Sequence, residues 1–326
     1  MVKIGVIGSG WGSRVQAPLF REAGFDVVEI KGREWQTFRD AGVDLVTVVV
    51  PPAHHVEIAK AALEAGKHVI CEKPTALNAA DAESLVAAAK KHPDRIAIID
   101  HELRFLPSFR AARERMHELG GVRYIEVRYS SPARGDRSRA WNWWSDAAQG
   151  GGVWDAVGSH FADAIRYLVD DITEVQASFA TIIDERSGQR VTSDDFAAVH
   201  LRLRNGVLAA LSLSAVAAGP DDAATITIHG ENGAFRLTGE ELLFSKPAQP
   251  FTRIAGDDLA KLPGNSPGGA FGSGTRALAQ GLRAALIDGD RNALAPAATF
   301  DDGLAQQRVL DAGRESSANG GRWVEV

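Results

Sequence analysis

The first dozen residues constrain the fold more tightly than any other part of the chain. Val2–Ile7 is a short apolar run that ends on Gly8, and Gly8-Ser9-Gly10-Trp11-Gly12-Ser13 leads into a helical stretch from about Gly12 to Ala23. A buried strand that turns on glycines into a helix is the first half of a β-α-β unit. The helix N-terminus then points free N–H groups at whatever lies over the turn. Pro18 sits inside the helical stretch and is expected to kink or restart it. The rhythm repeats. Strands are expected at Phe25–Ile30, Leu45–Val50, His68–Cys71 and Ile96–Ile99, and helices at Val56–Ala65 and from Asn78 to about Lys91. Asn78 is the N-cap of the latter, with Asp81 in its first turn. This alternation demands a parallel sheet with right-handed crossovers.

After Gly120 the period changes. Tyr124–Tyr129 and Phe196–Leu203 alternate apolar and polar positions, and Val207–Leu213, Thr225–His229 and Ala234–Leu237 are further short strands. Asn205-Gly206 and Asn232-Gly233 read as hairpin turns. The fold class is therefore α/β: an N-terminal doubly wound parallel sheet, then an α/β domain with a large open, mostly antiparallel sheet. A chain of 326 residues suits two domains, since single cores stop growing near ~250–300 residues. The boundaries are drawn at residues 1–120 and 121–326, with a C-terminal helix that can pack back on the first domain. Pro247–Gly274 reads as a long loop, and Ala277–Ile287 and Asp301–Ser316 as helices.

The net charge of -6 argues against nucleic acid or an anionic membrane as the main partner. No run approaches ~18 apolar residues, so no transmembrane helix is expected. The N-terminus lacks the features of a signal peptide. Cys71 is the single cysteine, which fits a cytoplasmic location. The histidines outside the motifs lack metal-ligand spacing, so no metal is expected.

The glycine turn carries the first functional reading. Gly8 permits the tight turn, and Gly10 lets a pyrophosphate approach the backbone. Trp11 and Gly12 complete the turn, and Ser13 stands at the third position of the dinucleotide fingerprint. The bland alternative is a structural glycine turn. An acid at the end of the second strand would hold the ribose hydroxyl of NAD. Here the strand ends Glu29-Ile30-Lys31-Gly32-Arg33, with Arg33 at the tip. A guanidinium there can clamp a 2′-phosphate, so the reading is NADP or NAD, leaning to NADP. Only Gly32–Asp44 separates this strand from the next. Glu72-Lys73-Pro74 follows the fourth strand, at the carboxyl edge where such sheets bind ligands. A partly desolvated lysine beside a carboxylate can carry a substrate proton. Its alternative is a surface turn with an ion pair.

Glu72-Lys73-Pro74, the N-terminal fingerprint, and Gly150-Gly151-Gly152 followed by Gly158-Ser159-His160 and Asp163 together resemble the Gfo/Idh/MocA oxidoreductases. Pro51, Pro52 and His55 after the third strand, Arg104-Phe105 with Pro107 after the fifth, and Asp302-Gly303-Leu304 through Trp323-Val324 extend the resemblance over nearly the whole chain. It implies a Rossmann domain that binds the dinucleotide through Gly8, Gly10, Trp11, Gly12, Ser13, Arg33, Pro51, Pro52, His55, Glu72 and Lys73. It implies Lys73 and His160 as the catalytic pair, with Asp163 as partner to the imidazole. It also implies a homo-oligomer, dimer or tetramer, formed through the C-terminal sheet.

Arg104, Trp143, Asp155 and His160 are the candidate substrate contacts. The resemblance calls for an aspartate two residues before the motif glycine, where this chain has Ala156, with Asp155 one residue earlier. Trp141, Trp143 and Trp144 either wall a sugar pocket or anchor a loop. The expected activity is NAD(P)-dependent hydride transfer between nicotinamide and a secondary alcohol or ketone of a sugar, cyclitol or related small molecule. The rival readings are a glycosidase using transient redox and a non-catalytic dinucleotide or sugar sensor.

Overall fold

The computed structural model describes residues 1–219, 222–239, 241–254 and 269–326. The chain forms two compact units, Met1–Leu106 with Ala260–Gln307, and Pro107–Leu259 with Arg308–Val326. The first division thus falls at Leu106/Pro107, ahead of the boundary drawn from sequence at 120. Residues 260–307 return to the first unit. That return begins within Pro247–Gly274, the stretch expected from sequence as a long loop.

The first unit is built on parallel strands. β1 (Lys3–Ile7) leads through a π-helical turn, Gly12–Gln16, into helix α1 (Ala17–Glu22), with Pro18 in its first turn. The proline restarts the helix there, since its missing N–H would lack a partner at that position anyway. Next come β2 (Asp26–Ile30), a 3-10 segment (Gly32–Arg39), β3 (Leu45–Val48) and α2 (His55–Glu64). They are followed by β4 (His68–Cys71), α3 (Ala79–Lys90) and β5 (Ala97–Ile99). The Asn78 side chain accepts from Asp81 N at 2.9 Å and caps α3 as expected.

The strand order runs β5-β4-β3-β1-β2, all parallel. Both faces are covered, which is why the strands read as continuous apolar runs. Ile4, Val6, Leu45 and Ile70 pack with Phe20 and Phe25 on one face. Val46, Val48 and Val69 pack with Ile58, Leu63 and Leu85 on the other. The order reverses between β1 and β3, so the turns after these two strands flank the switch-point crevice that binds ligands in open α/β sheets.

The second unit opens with α4 (Pro107–Arg115), β6 (Val122–Ser130), and a π-helical turn (Trp154–Gly158) that runs into α5 (Ser159–Leu168). β7 (Ile172–Ala180) is followed by a small hairpin, β8 (Glu185–Arg186) and β9 (Gln189–Arg190). Then come β10 (Phe196–Leu203), β11 (Leu208–Ser214), β12 (Asp222–Gly230), β13 (Ala234–Thr238), β14 (Glu241–Ser245) and β15 (Thr252–Arg253). The order is β15-β14-β13-β12-β6-β11-β10-β7, antiparallel except for the β6–β11 pair. Ala197, Val199, Leu201 and Leu203 are buried on one face of β10, as the alternating pattern requires.

Helix α6 (Gly269–Leu286) and β16 (Ala298–Thr299), antiparallel to β5, belong to the first unit. The helix begins inside the stretch expected as a loop. Residues 255–268 of that stretch lie outside the described residues. α7 (Phe300–Ala318) spans the second division, and β17 (Val324–Glu325) pairs with β7. Among the described residues no helix is long and apolar enough to cross a membrane.

His55 ties the switch-point loops together. Its ring is fully buried, with Nδ1 2.8 Å from Pro74 O and Nε2 2.8 Å from Val50 O. A neutral imidazole has one N–H and can donate to only one of these carbonyls. Burial nevertheless outweighs the two oxygens and pushes the pKa from 6.5 down to about 4. The folded value therefore lies below the unfolded one. The contribution to stability is complete above pH ~6.5 and is lost as pH falls toward ~4, by at most about 3 kcal/mol. Urea unfolding at pH 7 and pH 4.5 should show this acid-side loss in the natural protein and a flatter dependence in His55→Gln.

Candidate functional site

The glycine turn after β1 has the form of a phosphate cradle. Gly8 has φ +140°, and a Cβ there would lie 2.0 Å from Val49 O, so only glycine fits beside the end of β3. A Cβ on Gly10 would meet nothing within 4 Å, which leaves the backbone open to an incoming group. A Cβ on Gly12 would sit 3.0 Å from Val6 Cγ1, so the close helix–strand packing falls on Gly12 and not on the fingerprint position Ser13. Ser13 Oγ instead donates to Gly8 O at 3.3 Å and steadies the turn. The open Gly10 backbone at a helix N-terminus fits a dinucleotide pyrophosphate, which these residues would hold.

Arg33 projects from the tip of β2 and pairs at 3.4 Å with Glu34, which Lys31 also approaches at 3.9 Å. Glu29 is engaged within the strand by Arg21 at 2.8 Å, and this bond holds its carboxyl below the usual range. Pro51 leads into a 3-10 turn, Pro52–His54. His55, read from sequence as a cofactor contact, is enclosed and braces the Pro74 loop.

Lys73 follows β4 and precedes a cis peptide to Pro74. Behind it lies a polar cluster that the sequence reading did not single out. Gln16 Nε2 donates to Glu72 Oε1 at 2.9 Å and to Asp100 Oδ2 at 2.8 Å, and Gln16 Oε1 accepts from Thr47 Oγ1 at 2.8 Å. The threonine hydroxyl sets which end of the amide faces the acids. Glu72, Asp100 and Glu102 are all buried, and burial raises each carboxyl above its ordinary value, while Lys73 pulls each of them down. Cys71 and Ile99 are register partners on β4 and β5, so the next residue on each strand is an acid at the same edge. Arg104, a candidate substrate contact, is buried and pairs with Asp302 at 3.3 Å.

In the second unit the glycine run brings other segments onto its backbone. A Cβ on Gly151 would meet Trp143 O at 2.5 Å, and one on Gly152 (φ +119°) would meet Asp194 Oδ1 at 2.3 Å. Trp154 N donates to Asp194 Oδ2 at 2.8 Å. His160 and Asp163 are both buried on α5. Asp155 is buried and ion-paired to Arg314, which also binds Asp311. Burial pushes the neighbouring Asp194 up to about 7, with the Asp155 charge adding to it. Trp141 Nε1 donates to Arg190 O at 3.1 Å, and Arg134 lies 4.8 Å over the Trp144 ring. These two tryptophans therefore anchor their loop.

The comparisons with known proteins agree with this arrangement. Residues 25–100 match the oxidoreductase family with an NAD-binding Rossmann fold, and residues 109–236 match the GFO/IDH/MocA C-terminal domain. Glucose-fructose oxidoreductase domain-containing protein 2 of Xenopus tropicalis is 29% identical, over 99% of this chain and 93% of that protein. An oxidoreductase domain protein from Kribbella flavida shares the fold at a TM-score of 0.84, with 27% identity and 100% of both chains covered. A levoglucosan dehydrogenase in complex with NADH and levoglucosan has a TM-score of 0.85, with 22% identity, 100% of this chain and 99% of that one. The fold is that of an NAD-binding oxidoreductase. The chain belongs to the GFO/IDH/MocA family.

Gly10→Ala separates cradle from scaffold. Its Cβ has room, so the melting temperature should stay within a few degrees of the natural protein. Dinucleotide affinity, read by fluorescence titration, should fall at least about tenfold. Unchanged affinity would remove the cradle assignment.

Proposed function

We propose that the protein is an NAD(P)-dependent dehydrogenase or reductase acting on a secondary alcohol or ketone of a sugar, cyclitol or related small molecule. The observation that carries this reading is Lys73: a cation at the carboxyl edge of a parallel sheet, beside the switch point and backed by buried acids. A bound nicotinamide would supply the hydride acceptor or donor. Lys73 or His160 exchanges the proton of the reacting hydroxyl, and Lys73 stabilises the developing negative charge. His160, with Asp163 as its helical neighbour, is the second group at the reacting oxygen. Trp143 is a substrate contact, as are Arg104 and Asp155, each of which is also engaged in an ion pair.

Cyclic polyols lead the substrate panel because a protein of similar fold holds NADH with levoglucosan. Followed at the nicotinamide absorbance, Lys73→Met and His160→Ala should each lower kcat by about a hundredfold or more and leave dinucleotide binding largely intact. Normal turnover in both would overturn the reading.

For the cofactor we infer a preference for NADP(H), supported by Arg33 and Lys31 at the tip of β2. Arg33→Ala should weaken NADP(H) at least about tenfold more than NAD(H), the loss of a bidentate phosphate contact. Equal losses would remove the preference. A second copy is the inferred partner of the C-terminal sheet. Tyr124 and Leu208, register partners on β6 and β11, are each 44% exposed on one face of it. Light scattering that gives a monomer mass would exclude this assembly.

A further inference from the structure

Lys73 stands over a pair of carboxyls that cannot both be ionised cheaply. Glu72 is 9% exposed and Asp100 1%. The two hydrogens of one neutral amide, Gln16 Nε2, are shared between them, and the acids also hydrogen-bond each other. Asp100 Oδ1 is buried, with no donor against it among the described residues. Two like charges that share one donor out of water repel strongly, and the usual resolution is to keep one proton. The other titratable groups acting on the pair are Lys73, the buried Cys71 thiol and the buried Glu102. Arg276 on the adjacent α6 is committed to Glu22 at 3.0 Å.

We propose that Glu72 and Asp100 share a single proton and serve Lys73 as its proton store, with Asp100 a positioning residue that acts through the amine. This rests on the reading of Lys73 as the group that meets the substrate hydroxyl. In carbonyl reduction the Lys73 ammonium gives a proton to the developing alkoxide. The shared proton then moves from the pair to Nζ, so the pair goes from one negative charge to two and the amine is again an ammonium. Alcohol oxidation runs the same transfers backward. Burial favours the singly charged pair, so the same enclosure that raises its proton affinity makes it a competent acceptor from an ammonium.

The test has two parts. In cofactor-free protein labelled with ¹³C at Asp and Glu carboxyls, Asp194 and Glu102 are also raised, and a further resonance, assigned to Asp100, should titrate well above the ordinary carboxylate range. That signal should vanish in Asp100→Asn and move down in Glu72→Gln. In the loaded enzyme, Asp100→Asn relieves Glu72 of its like-charged neighbour. The acid limb of kcat/KM for alcohol oxidation should then move down by about one pH unit or more, with a rate loss at neutral pH. Ordinary titration of both Glu72 and Asp100, or an unchanged pH profile in Asp100→Asn, would overturn the proposal. Should Asp100→Asn fail to fold, Glu72→Gln provides both readouts. Unimpaired turnover in Lys73→Met would instead sink the reading of Lys73. An anomalous titration that survives in that variant would still locate the shared proton on the pair.

Discussion

Thr47, on β3, holds the Gln16 amide in one orientation, and that amide gathers the acids that follow β4 and β5. Three strands and the first helical turn thus meet through one neutral side chain. A parallel sheet covered on both faces has nowhere to place polar groups except its ends. Here the carboxyl end carries Glu72 and Asp100. Buried polar groups of this kind are tolerated only when their hydrogen bonds are largely complete. Gln16 uses its oxygen and both amide hydrogens, so a substitution there would break several contacts at once. The switch-point crevice owes its shape to the same elements, with His55 bracing Val50 against Pro74 and the glycine turn packed on Val49.

Much of this frame was legible from residue order. Each parallel strand of the first sheet lies within a few residues of its expected span, because continuous apolar runs bounded by glycine or proline have few other solutions. The Asn78 cap and both Asn-Gly hairpins also form where the sequence placed them. β7 escaped notice for a physical reason. Its pairing with β10 shifts register between Arg202 and Leu203, so the buried residues Ile172, Val175 and Ala177 do not keep a period of two. The helical start at Gly269 was hidden by glycine and serine in its first turns, which tertiary packing against Glu102 tolerates.

The site was legible in kind but not in its supporting contacts. Glycines and the Glu72-Lys73-Pro74 turn announce themselves, since each needs a specific residue type at a specific spacing. Gln16, Thr47 and Asp100 do not. Each is an ordinary polar residue within an otherwise apolar element, and only the strand register brings them together. His55 shows the opposite case. A motif residue suggested cofactor contact, and its role in the fold is to close a loop from inside.

The two buried acid clusters differ in what balances them, and that difference bears on function. Asp155 has the Arg314 guanidinium against it, a group that stays charged at any accessible pH. Burial still raises the Asp155 carboxyl, with the guanidinium opposing that rise. Asp194, beside it, takes backbone N–H bonds instead, and burial lifts it to about 7. Glu72 and Asp100 have Lys73 as their cationic neighbour, and lysine can give up its proton when desolvated. A permanent cation beside a buried acid makes a fixed bracket. A titratable cation beside two of them makes a place where protons can be exchanged. On the proposed reading of Lys73, lysine rather than arginine at position 73 is the choice that would let a structural polar cluster take part in acid–base chemistry.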